Sequence, residues 1–517
     1  MYEKILKKLV RSKIESPDDL ASFKRKMAKK YEISCPSNIL LLQEYYKLVK
    51  KRKIAFSERI KNLLCTRPVR SLSGIVNVSV LTKPYPCPGK CLYCPTEKGI
   101  PKSYVSGEPA VERAKKLKYN PYLQTKQRIK MLTAEGHPTD KIELRIVGGT
   151  WSYYPKKYQN WFIKKCFDSC NNKTSKNLTE AQKLNEIAKN RIIGLSVETR
   201  PDFVNEDEVA QLRKFGVTMV ELGVQSIFND VLKINLRGHG KEETISATKL
   251  LKDAGFKVLY QMMPNLPGST IKKDEKMFKE LFENPNFQPD LLKIYPCALL
   301  REAPLYSFWK AKKYRPYSRK ELIGLIKFIK KEVPYYVRIQ RITRDIPSVS
   351  IVSGPAKISN LRQFLAEISK KEGWDCKCIR CREVGKKYEK TEKIKMFRKN
   401  YGASSGKEIF LSFENKKRNK LYSLLRLRIT KTPSLPILKD STIIREIHTF
   451  GQLVSINKKG GSPQHTGLGQ KLLKEAEKIS KKEFKIKKIA VISGIGARNY
   501  FRKLGYSLKN NYMVKEI

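Results

Sequence analysis

The amino-acid sequence predicts an α/β protein in which a (β/α)6 partial barrel is followed by a second α/β domain. A basic helical region precedes both. Short apolar strands alternate with helical runs from about residue 71 to 345, which is typical of a parallel β/α architecture. From about residue 406 the pattern changes to antiparallel strands and one long helix. At ~150 residues per domain, the 517 residues fit about three domains.

The charge of the chain is its most unusual bulk property. There are 107 Lys and Arg against 49 Asp and Glu, a net charge of +58, while 40% of residues are hydrophobic. That composition excludes a disordered polymer and favours a polyanionic partner, with nucleic acid the first candidate. The alternative is biased codon usage, because most of the excess is Lys.

The cysteines and the apolar segments indicate the cellular compartment of the protein. No stretch offers the ~18 consecutive apolar residues of a membrane span, and the N-terminus lacks the apolar core of a secretory signal. Six of the eleven cysteines fall in two tight clusters, and an odd total argues against a disulfide framework. We therefore expect a cytoplasmic protein with metal sites in a reducing compartment and no membrane partner.

Residues 1–70 form the first predicted unit. They contain 19 Lys or Arg and 7 Asp or Glu, and apolar positions such as Ile5, Leu9 and Ile14 recur at roughly helical spacing. This pattern predicts basic helices that contact nucleic acid. The alternative is an ordinary amphipathic region with a solvated face.

Residues 71–345 form the partial barrel. The chemistry of such a fold lies in the loops at the carboxyl ends of its strands. Helical runs, for example 206–216 and 241–256, separate the apolar segments. The predicted strands are 73–82, 142–149, 191–199, 217–226, 256–264 and 291–296.

A cysteine loop follows the first predicted strand. Cys87, Cys91 and Cys94 have the spacing C-x3-C-x2-C. A structural zinc site has four ligands, and a cluster that only transfers electrons usually has four cysteines. Three thiolates on a [4Fe–4S] cluster leave one iron open to the amine and carboxylate of a substrate or cofactor. The alternative is a zinc loop completed by a distant ligand.

This spacing at the first strand–helix loop resembles the radical S-adenosylmethionine superfamily. The resemblance implies a [4Fe–4S] cluster on the three cysteines and bound S-adenosylmethionine, which is cleaved to a 5′-deoxyadenosyl radical. It also implies that Gly148 and Gly149 bind the methionine amino group. Glu198 and Gln225 end the next two strands and are expected to bind cofactor. Each of these strand-end segments could instead be a helix cap or a turn.

Residues 346–405 are poor in regular pattern and are predicted to be a linker with a second metal site. Cys376, Cys378 and Cys381 have the spacing C-x-C-x2-C, which favours a structural zinc with a fourth ligand from elsewhere. The fourth ligand stays open, with Cys297 one candidate. We expect such a zinc to clamp the linker to the barrel.

Residues 406–517 form the last predicted domain. Its strands are predicted at 408–415, 422–430, 441–456 and 487–493, and its helix at 468–483. The residues before that helix read Q-x-x-G-x-G. Free N–H groups at such a helix N-terminus bind anions, and a pyrophosphate is the natural ligand. A Gly-rich helix cap without ligand is the alternative.

This domain resembles the GNAT acetyltransferase fold, whose corresponding loop binds the pyrophosphate of acetyl-CoA. The resemblance implies that Tyr500 protonates a leaving thiolate, although Tyr500 and Tyr506 could instead be packing aromatics. The acetyl-CoA-binding residues that it implies are Gln464, His465, Gly467, Leu468, Gly469 and Tyr500.

The combination of the two domains resembles the catalytic-subunit family of Elongator over residues 65–517. The matching segments include IVGGT, SVETRPD, ELGVQS, RGHG, MMPNLPGS, REIHTFG and QHTGLGQKLL. Members of that family act as tRNA uridine(34) acetyltransferases. The resemblance implies that the radical removes hydrogen from the methyl group of acetyl-CoA. The carbon then adds to C5 of the wobble uridine in the tRNA anticodon stem-loop, and thioester hydrolysis leaves a carboxymethyl group.

The first cysteine spacing is similar to the archaeal or bacterial type, which works without the other Elongator subunits. Phe501 departs from the family pattern, because relatives often have a second tyrosine there. Cys297 stands where the family usually has a threonine. The tRNAs served, the residue that activates the hydrolytic water and the oligomeric state stay open, with a homodimer one alternative.

Two other functions compete with tRNA modification. One is a protein lysine acetyltransferase with a purely structural iron–sulfur cluster, and the other is a non-catalytic RNA-binding protein. A structural cluster needs a fourth ligand near Cys94, and no cysteine follows it closely. That absence disfavours the lysine acetyltransferase.

Overall fold

The structure is a computed structural model, and it describes residues 1–358, 360–385, 388–389, 391–454, 462–464 and 466–517. Two seven-stranded sheets dominate it, one parallel and one mixed. A helical region precedes the first sheet. Among the described residues, no helix is long and apolar enough to cross a membrane.

The N-terminal region is helical, as predicted. Apolar residues from all four helices, among them Ile5, Leu20, Leu41 and Ile60, form a core of their own. Serine side chains cap three of the helices by accepting a backbone N–H. The helices are α1 (Tyr2–Arg11), α2 (Pro17–Lys30), α3 (Asn38–Lys50) and α4 (Glu58–Leu64).

The first sheet is a half-barrel of parallel strands in chain order. All six predicted strands are confirmed, and a seventh extends the sheet. The strands are β1 (Val76–Leu81), β2 (Lys141–Val147), β3 (Arg191–Thr199), β4 (Met219–Gln225), β5 (Lys257–Met262), β6 (Leu291–Ile294) and β7 (Arg338–Arg341).

Helices alternate with these strands, and most of them cover the outer face of the sheet. They are α5 (Pro109–Lys116), α6 (Pro121–Ala134), α7 (Lys156–Asn171), α8 (Leu178–Asn185), α9 (Glu206–Lys214), α10 (Asn229–Ile234), α11 (Lys241–Asp253), α12 (Ile271–Glu283), α13 (Leu305–Lys310) and α14 (Arg319–Glu332). Val76, Val78 and Val80 of β1 belong to the main hydrophobic core, whereas Asn77 and Ser79 between them line a cavity. The alternation places a polar surface inside the half-barrel.

The predicted linker over 346–405 has more structure than its pattern suggests. It contains α15 (Leu361–Lys371), α16 (Ile379–Arg382) and strand β8 (Ile394–Ala403). Strand β8 pairs along its whole length with the next strand, so the second sheet begins at residue 394 and not at 406. The strand was missed because six of its ten residues are exposed, four of them polar, as is common at a sheet edge.

The second sheet is mixed, with spatial order β13-β14-β12-β11-β10-β9-β8. The predicted antiparallel pair and helix are confirmed. The predicted strand over 441–456 ends at Thr449, and Gly451 then takes a φ of +113° that L side chains rarely adopt. The further elements are β9 (Gly406–Asn415), β10 (Leu421–Ile429), β11 (Ser441–Thr449), α17 (Leu468–Glu483), β12 (Lys488–Val491), α18 (Arg498–Arg502), β13 (Ser507–Lys509) and β14 (Tyr512–Glu516).

Strands β11 and β12 separate part of the way along the sheet. They pair in parallel only from Ser441 to Ile444 and from Lys488 to Val491. Strand β11 continues for five more residues, while the chain after β12 turns away. The separation leaves a cleft that begins beside Ile444.

A buried ionic network joins the half-barrel to the second sheet. Arg445 donates both Nη atoms to the Asp290 carboxylate, at 2.8 and 2.6 Å, and its Nε lies 3.0 Å from Glu408. Arg428 bonds Asp253 of the half-barrel and Glu408 in the same way. All five side chains are at most 1% exposed. Such pairs hold the two units in one fixed arrangement.

Candidate active site

The first cysteine loop lies at the carboxyl end of β1, as the fold requires. Cys91 and Cys94 are buried, and Cys87 is half-buried with its Sγ 3.8 Å from the Thr150 hydroxyl after β2. Burial raises the pKa of the Cys94 thiol to about 12. A thiol this buried becomes a thiolate when a metal replaces its proton.

Cys91 has a cation beside it. The Nη1 atom of Arg237 donates to the Cys91 sulfur at 3.5 Å, and its Nη2 donates to the Gly223 carbonyl. Burial alone raises the pKa of the Cys91 thiol, but the charge and hydrogen bond of Arg237 outweigh it and lower that pKa. The position of Arg237 therefore suits an anionic sulfur.

Buried polar atoms without a protein partner surround the same loop. They are Tyr93 Oη, Arg200 Nη1, Gln225 Oε1, Arg237 Nε and His239 Nε2. A cluster of buried polar atoms that no protein group satisfies is unusual and indicates a polar ligand. Three cysteines with this shell fit an iron–sulfur cluster whose open iron binds a polar cofactor.

The other predicted cofactor-binding residues lie at the carboxyl ends of β2, β3 and β4. Gly148 has a φ of +129°, and a side chain there would put Cβ 2.0 Å from the Thr82 hydroxyl, so only glycine fits. Gly149 has a φ of +99°. Glu198 accepts hydrogen bonds from Tyr104 and Gln261, each at 3.1 Å, and Gln225 has a φ of +68°. Glu198 and Gln225 line the same cavity as Cys94.

That cavity has a volume of about 1170 Å³ and runs through the half-barrel. Tyr93 and Cys94 line one end of it, whereas Glu446 and His448 of β11 line the other. Its walls contain thirteen Lys or Arg side chains against six Asp or Glu. The cavity is therefore basic and is shared by the cysteine loop and the second sheet.

The predicted anion loop and Tyr500 lie side by side in the second unit. Gly467 precedes α17 with a φ of +85°, and no atom would lie within 4 Å of a Cβ there. A Cβ on Gly469 would be 3.2 Å from the Tyr500 hydroxyl, and Leu468 is buried between the two glycines. Tyr500 is 40% exposed, and its partial burial raises its pKa to about 12, so the phenol is protonated at neutral pH and accessible to a ligand. A helix N-terminus binds phosphate groups, and a phenol beside it can donate a proton to a leaving sulfur. The two together suit a thioester that carries phosphate groups.

Gln464 has a different position from the one its motif predicts. Its Oε1 accepts from Lys141 and Val454 at 3.1 and 3.0 Å, while its Nε2 donates to the carbonyls of Gly74 and Thr449 at 3.2 and 3.1 Å. The side chain therefore joins the half-barrel to the second sheet, and its amide is already fully bonded. His465, the other polar residue predicted here, lies outside the described residues.

The second cysteine cluster is brought together as predicted. The sulfur atoms of Cys376, Cys378 and Cys381 all lie within 4.8 Å of one another. Tetrahedral zinc with Zn–S bonds of ~2.3 Å needs sulfurs ~3.8 Å apart, so the arrangement fits zinc. The candidate fourth ligand Cys297 was wrong: it packs in another apolar cluster, with Cys91 and Leu299. Within the described part of the chain, no other group of His, Cys, Asp or Glu brings three ligand atoms within 4.8 Å of one another, as a single metal ion requires.

Two residues of the site were not singled out from the sequence. Arg237 lies in the segment RGHG, whose charge and glycines could have marked it as a ligand-binding turn. His448 is a lone histidine in a strand, and nothing in the local pattern distinguishes it from a packed histidine. Its position depends on contacts with the distant residue Ser73.

Comparison with known proteins agrees with this geometry. Residues 85–281 match the Radical SAM superfamily, and residues 289–371 match the Radical_SAM C-terminal domain. The chain is 46% identical to a tRNA uridine(34) acetyltransferase of Methanocaldococcus infernus, across 100% of this chain and 98% of that protein. It is 36% identical to human Elongator complex protein 3, across 99% and 96%.

A solved structure shows the same fold. The archaeal Methanocaldococcus infernus Elp3 with an N-terminus deletion superposes with a TM-score of 0.77 and 46% identity, over 86% of this chain and all of that one. Most of this fold therefore occurs in a relative. The chain belongs to the radical SAM superfamily and, within it, to the family of the tRNA uridine(34) acetyltransferases and Elongator complex protein 3.

Proposed function

We propose that the protein is a cytoplasmic enzyme that places a carboxymethyl group on C5 of the wobble uridine of tRNA, using S-adenosylmethionine and acetyl-CoA. The observation that supports it best is the continuous cavity between the cysteine loop and β11. A lysine acetyltransferase with a structural cluster has no use for such a connection. The second sheet alone would suffice for it.

The two cofactors would bind at opposite ends of the cavity, S-adenosylmethionine with the cluster at one end and acetyl-CoA at the other. Cys87, Cys91 and Cys94 would hold the cluster, which supplies the electron that converts S-adenosylmethionine into a 5′-deoxyadenosyl radical. Gly148, Gly149, Glu198 and Gln225 would hold and orient S-adenosylmethionine; polar strand ends suit its amino-acid group, and the unpaired Gln225 Oε1 offers it an acceptor.

Acetyl-CoA would bind at the other end. The backbone N–H groups from Gly467 to Gly469 would bind its pyrophosphate, because the N-terminus of the long helix α17 favours an anion. The acetyl end would then reach the cleft between β11 and β12. Tyr500 would donate a proton to the departing sulfur.

The basic wall and the N-terminal region would bind the tRNA. Arg67 and Arg70, at the end of that region, line the cavity themselves. Phosphate contacts make binding steeply salt-dependent, while the base is selected inside the cavity. Deletion of residues 1–70 should weaken tRNA binding and reduce its salt dependence. Unchanged affinity would assign the charge of that segment to composition.

A structural zinc on Cys376, Cys378 and Cys381 would fasten α16 to the half-barrel. This segment already contacts β7 through the Ile379 N–H, which donates to the Val337 carbonyl at 3.0 Å. We propose that the chain needs no other Elongator subunit. Whether it forms a homodimer stays a prediction.

Anaerobic reconstitution of the single chain tests the function. Iron, sulfide, S-adenosylmethionine, acetyl-CoA, a reductant and bulk tRNA should yield 5′-deoxyadenosine and 5-carboxymethyluridine. Cys91→Ser should abolish both products and leave tRNA affinity nearly unchanged. Cys35→Ser, at an exposed cysteine of the N-terminal region, is the matched control and should retain both. Absence of both products from the unmodified chain would refute the proposal.

A further inference from the structure

His448 has one ring nitrogen bonded and the other free. Its Nε2 lies 2.7 Å from the backbone carbonyl oxygen of Ser73. A carbonyl only accepts, so Nε2 must carry the proton and Nδ1 must present a lone pair when the ring is neutral. Among the described residues, none makes a hydrogen bond to Nδ1. The ring is further held by stacking on Phe450, with centroids 4.3 Å apart.

His448 lies where the two cavities of the site meet. The cleft between β11 and β12 opens into a second cavity of about 110 Å³, lined by Ile447, Val491 and Phe501, which follows Tyr500. A thioester whose pyrophosphate is bound at Gly467 would enter there. The side chains that line both this cavity and the large one are Ile75, Glu143, Lys257, Glu446 and His448. These five residues line the passage between the large cavity, which reaches the cysteine loop, and the smaller cavity at the cleft between β11 and β12.

The other charged groups of this passage are poorly suited to accept a proton. Glu143 bonds Arg145 at 2.9 Å, and Glu446 bonds Arg426 at 2.8 Å and Lys257 at 3.3 Å. Despite their burial, these cations lower the pKa of each carboxyl to about 2, so both are weak bases.

His448 differs from these carboxylates. Burial and the charges of Lys257 and Arg338 lower its pKa below the ordinary 6.5, although the Glu446 carboxylate and the Ser73 carbonyl oppose them. The imidazole is therefore neutral at pH 7 and has a free lone pair.

We infer that His448 is the general base that activates the water for thioester hydrolysis, a step that rests on the function proposed above. Water attacks the thioester carbonyl carbon, and its proton passes to Nδ1. The C–S bond breaks with its electron pair on sulfur, and the thiolate takes a proton from Tyr500. The proton on Nδ1 then returns to the Tyr500 phenolate through water, which restores both residues and leaves a carboxylic acid and CoA.

Single-turnover assays on reconstituted enzyme with saturating tRNA test this role in His448→Gln. Glutamine keeps a donor for the Ser73 carbonyl but has no basic nitrogen. We expect 5′-deoxyadenosine at an unchanged rate, CoA release slowed about 10²- to 10⁴-fold, and tRNA that retains covalently bound CoA by mass spectrometry. CoA release at the rate of the unmodified chain would overturn the inference alone. A chain without deoxyadenosine or carboxymethyluridine would overturn the function and the inference together.

Two further measurements separate catalysis from structure. CoA release by the unmodified chain should lose rate below the pKa of His448 and level off above it. In the variant the rate should instead rise tenfold per pH unit, as hydroxide takes over. The matched control is His137→Gln. The Nε2 atom of His137 also bonds a backbone carbonyl, that of Thr66, at 3.0 Å. Its Nδ1, however, is bonded to the Ser71 hydroxyl, and His137 lines neither cavity. CoA release in the control should be unchanged; an equal slowing there would overturn the inference.

A cavity-forming variant keeps the inference testable if the glutamine variant does not fold. His448→Ala leaves space for a small base, and imidazole in solution should restore CoA release in a dose-dependent manner. Imidazole without effect on a folded His448→Ala chain would overturn the assignment.

Discussion

Arg445 offers the sharpest test of how the two units are held together. Its guanidinium is buried between Asp290 and Glu408, and both carboxylates are 0% exposed. Burial alone would raise the pKa of Asp290, but Arg445 and Arg426 hold it far below its ordinary 3.8. Arg445→Met fills the space and removes the charge, so two buried carboxylates lose a partner. Removal of one member of a buried ion pair costs about 3–5 kcal/mol of unfolding free energy.

The matched control is an exposed pair that joins β8 to the end of α17 in the second unit. Arg398 bonds both carboxylate oxygens of Glu483 at 2.5 and 2.7 Å, but these side chains are 32% and 44% exposed. Arg398→Met should therefore cost less than about 1 kcal/mol. The two substitutions are identical in chemistry and differ only in burial.

Urea unfolding followed by two probes measures the difference. Tryptophan fluorescence reports on the segment before residue 394, because all four tryptophans lie there: Trp151, Trp161, Trp309 and Trp374. Far-UV circular dichroism reports on both sheets. In the unmodified chain the two transitions should coincide, because the buried ion pairs couple the two units. In Arg445→Met the dichroism midpoint should fall by about 1 M or more at an m-value of ~3 kcal/mol/M, and should precede the tryptophan transition. Coincident transitions with a loss no larger than that of Arg398→Met would refute the reasoning.

Three further predictions concern the anion loop, the second cysteine cluster and acid stability. Gly467→Glu should abolish acetyl-CoA binding by calorimetry, because it adds like charge at the pyrophosphate site; Gly402→Glu, on an edge strand with free space around it, should not. Serine at all three positions of the Cys376 cluster should remove about one zinc per chain by metal analysis, and unchanged zinc would disprove the site. Burial raises the pKa of Glu446, but Lys257 and Arg426 lower it from 4.5 to about 2. The unfolding free energy should therefore fall as pH drops from about 4.5 to about 2, less steeply in Glu446→Gln; an identical slope would contradict this.

The fold was predictable where strands pack against helices. The first six parallel strands are covered on their outer face by helices, and their apolar runs mark them in the sequence. Strand β7 was missed because three of its four residues, Arg338, Gln340 and Arg341, line the polar cavity, so Ile339 is its only apolar residue. Strand β8 was missed because it is an exposed edge. Both failures occur where a strand contacts water or ligand space instead of a hydrophobic core.

The site was predictable where its chemistry is local. The cysteine loop and Gly148 have signatures within a few residues, because a cluster or a tight turn needs neighbouring groups. Gln464 and His448 could not be assigned in this way. The partners of Gln464 include Gly74, and the tautomer of His448 is set by Ser73, both more than 370 residues away. Their roles exist only once the half-barrel and the second sheet are in contact.

The same contact limits how the substrate can enter. Separating the two units to open the cavity would pull Arg445 away from Asp290 and Arg428 away from Asp253, two contacts that are fully buried. It would also undo the close approach at Gly494, where a Cβ would lie 2.1 Å from the Ile193 carbonyl oxygen. We therefore expect the anticodon base to enter the cavity with the units docked, past Arg67 and Arg70, which line it. A cross-link between the half-barrel and the second sheet that leaves tRNA modification intact would support this route, whereas loss of modification with tRNA binding preserved would show that the units must separate.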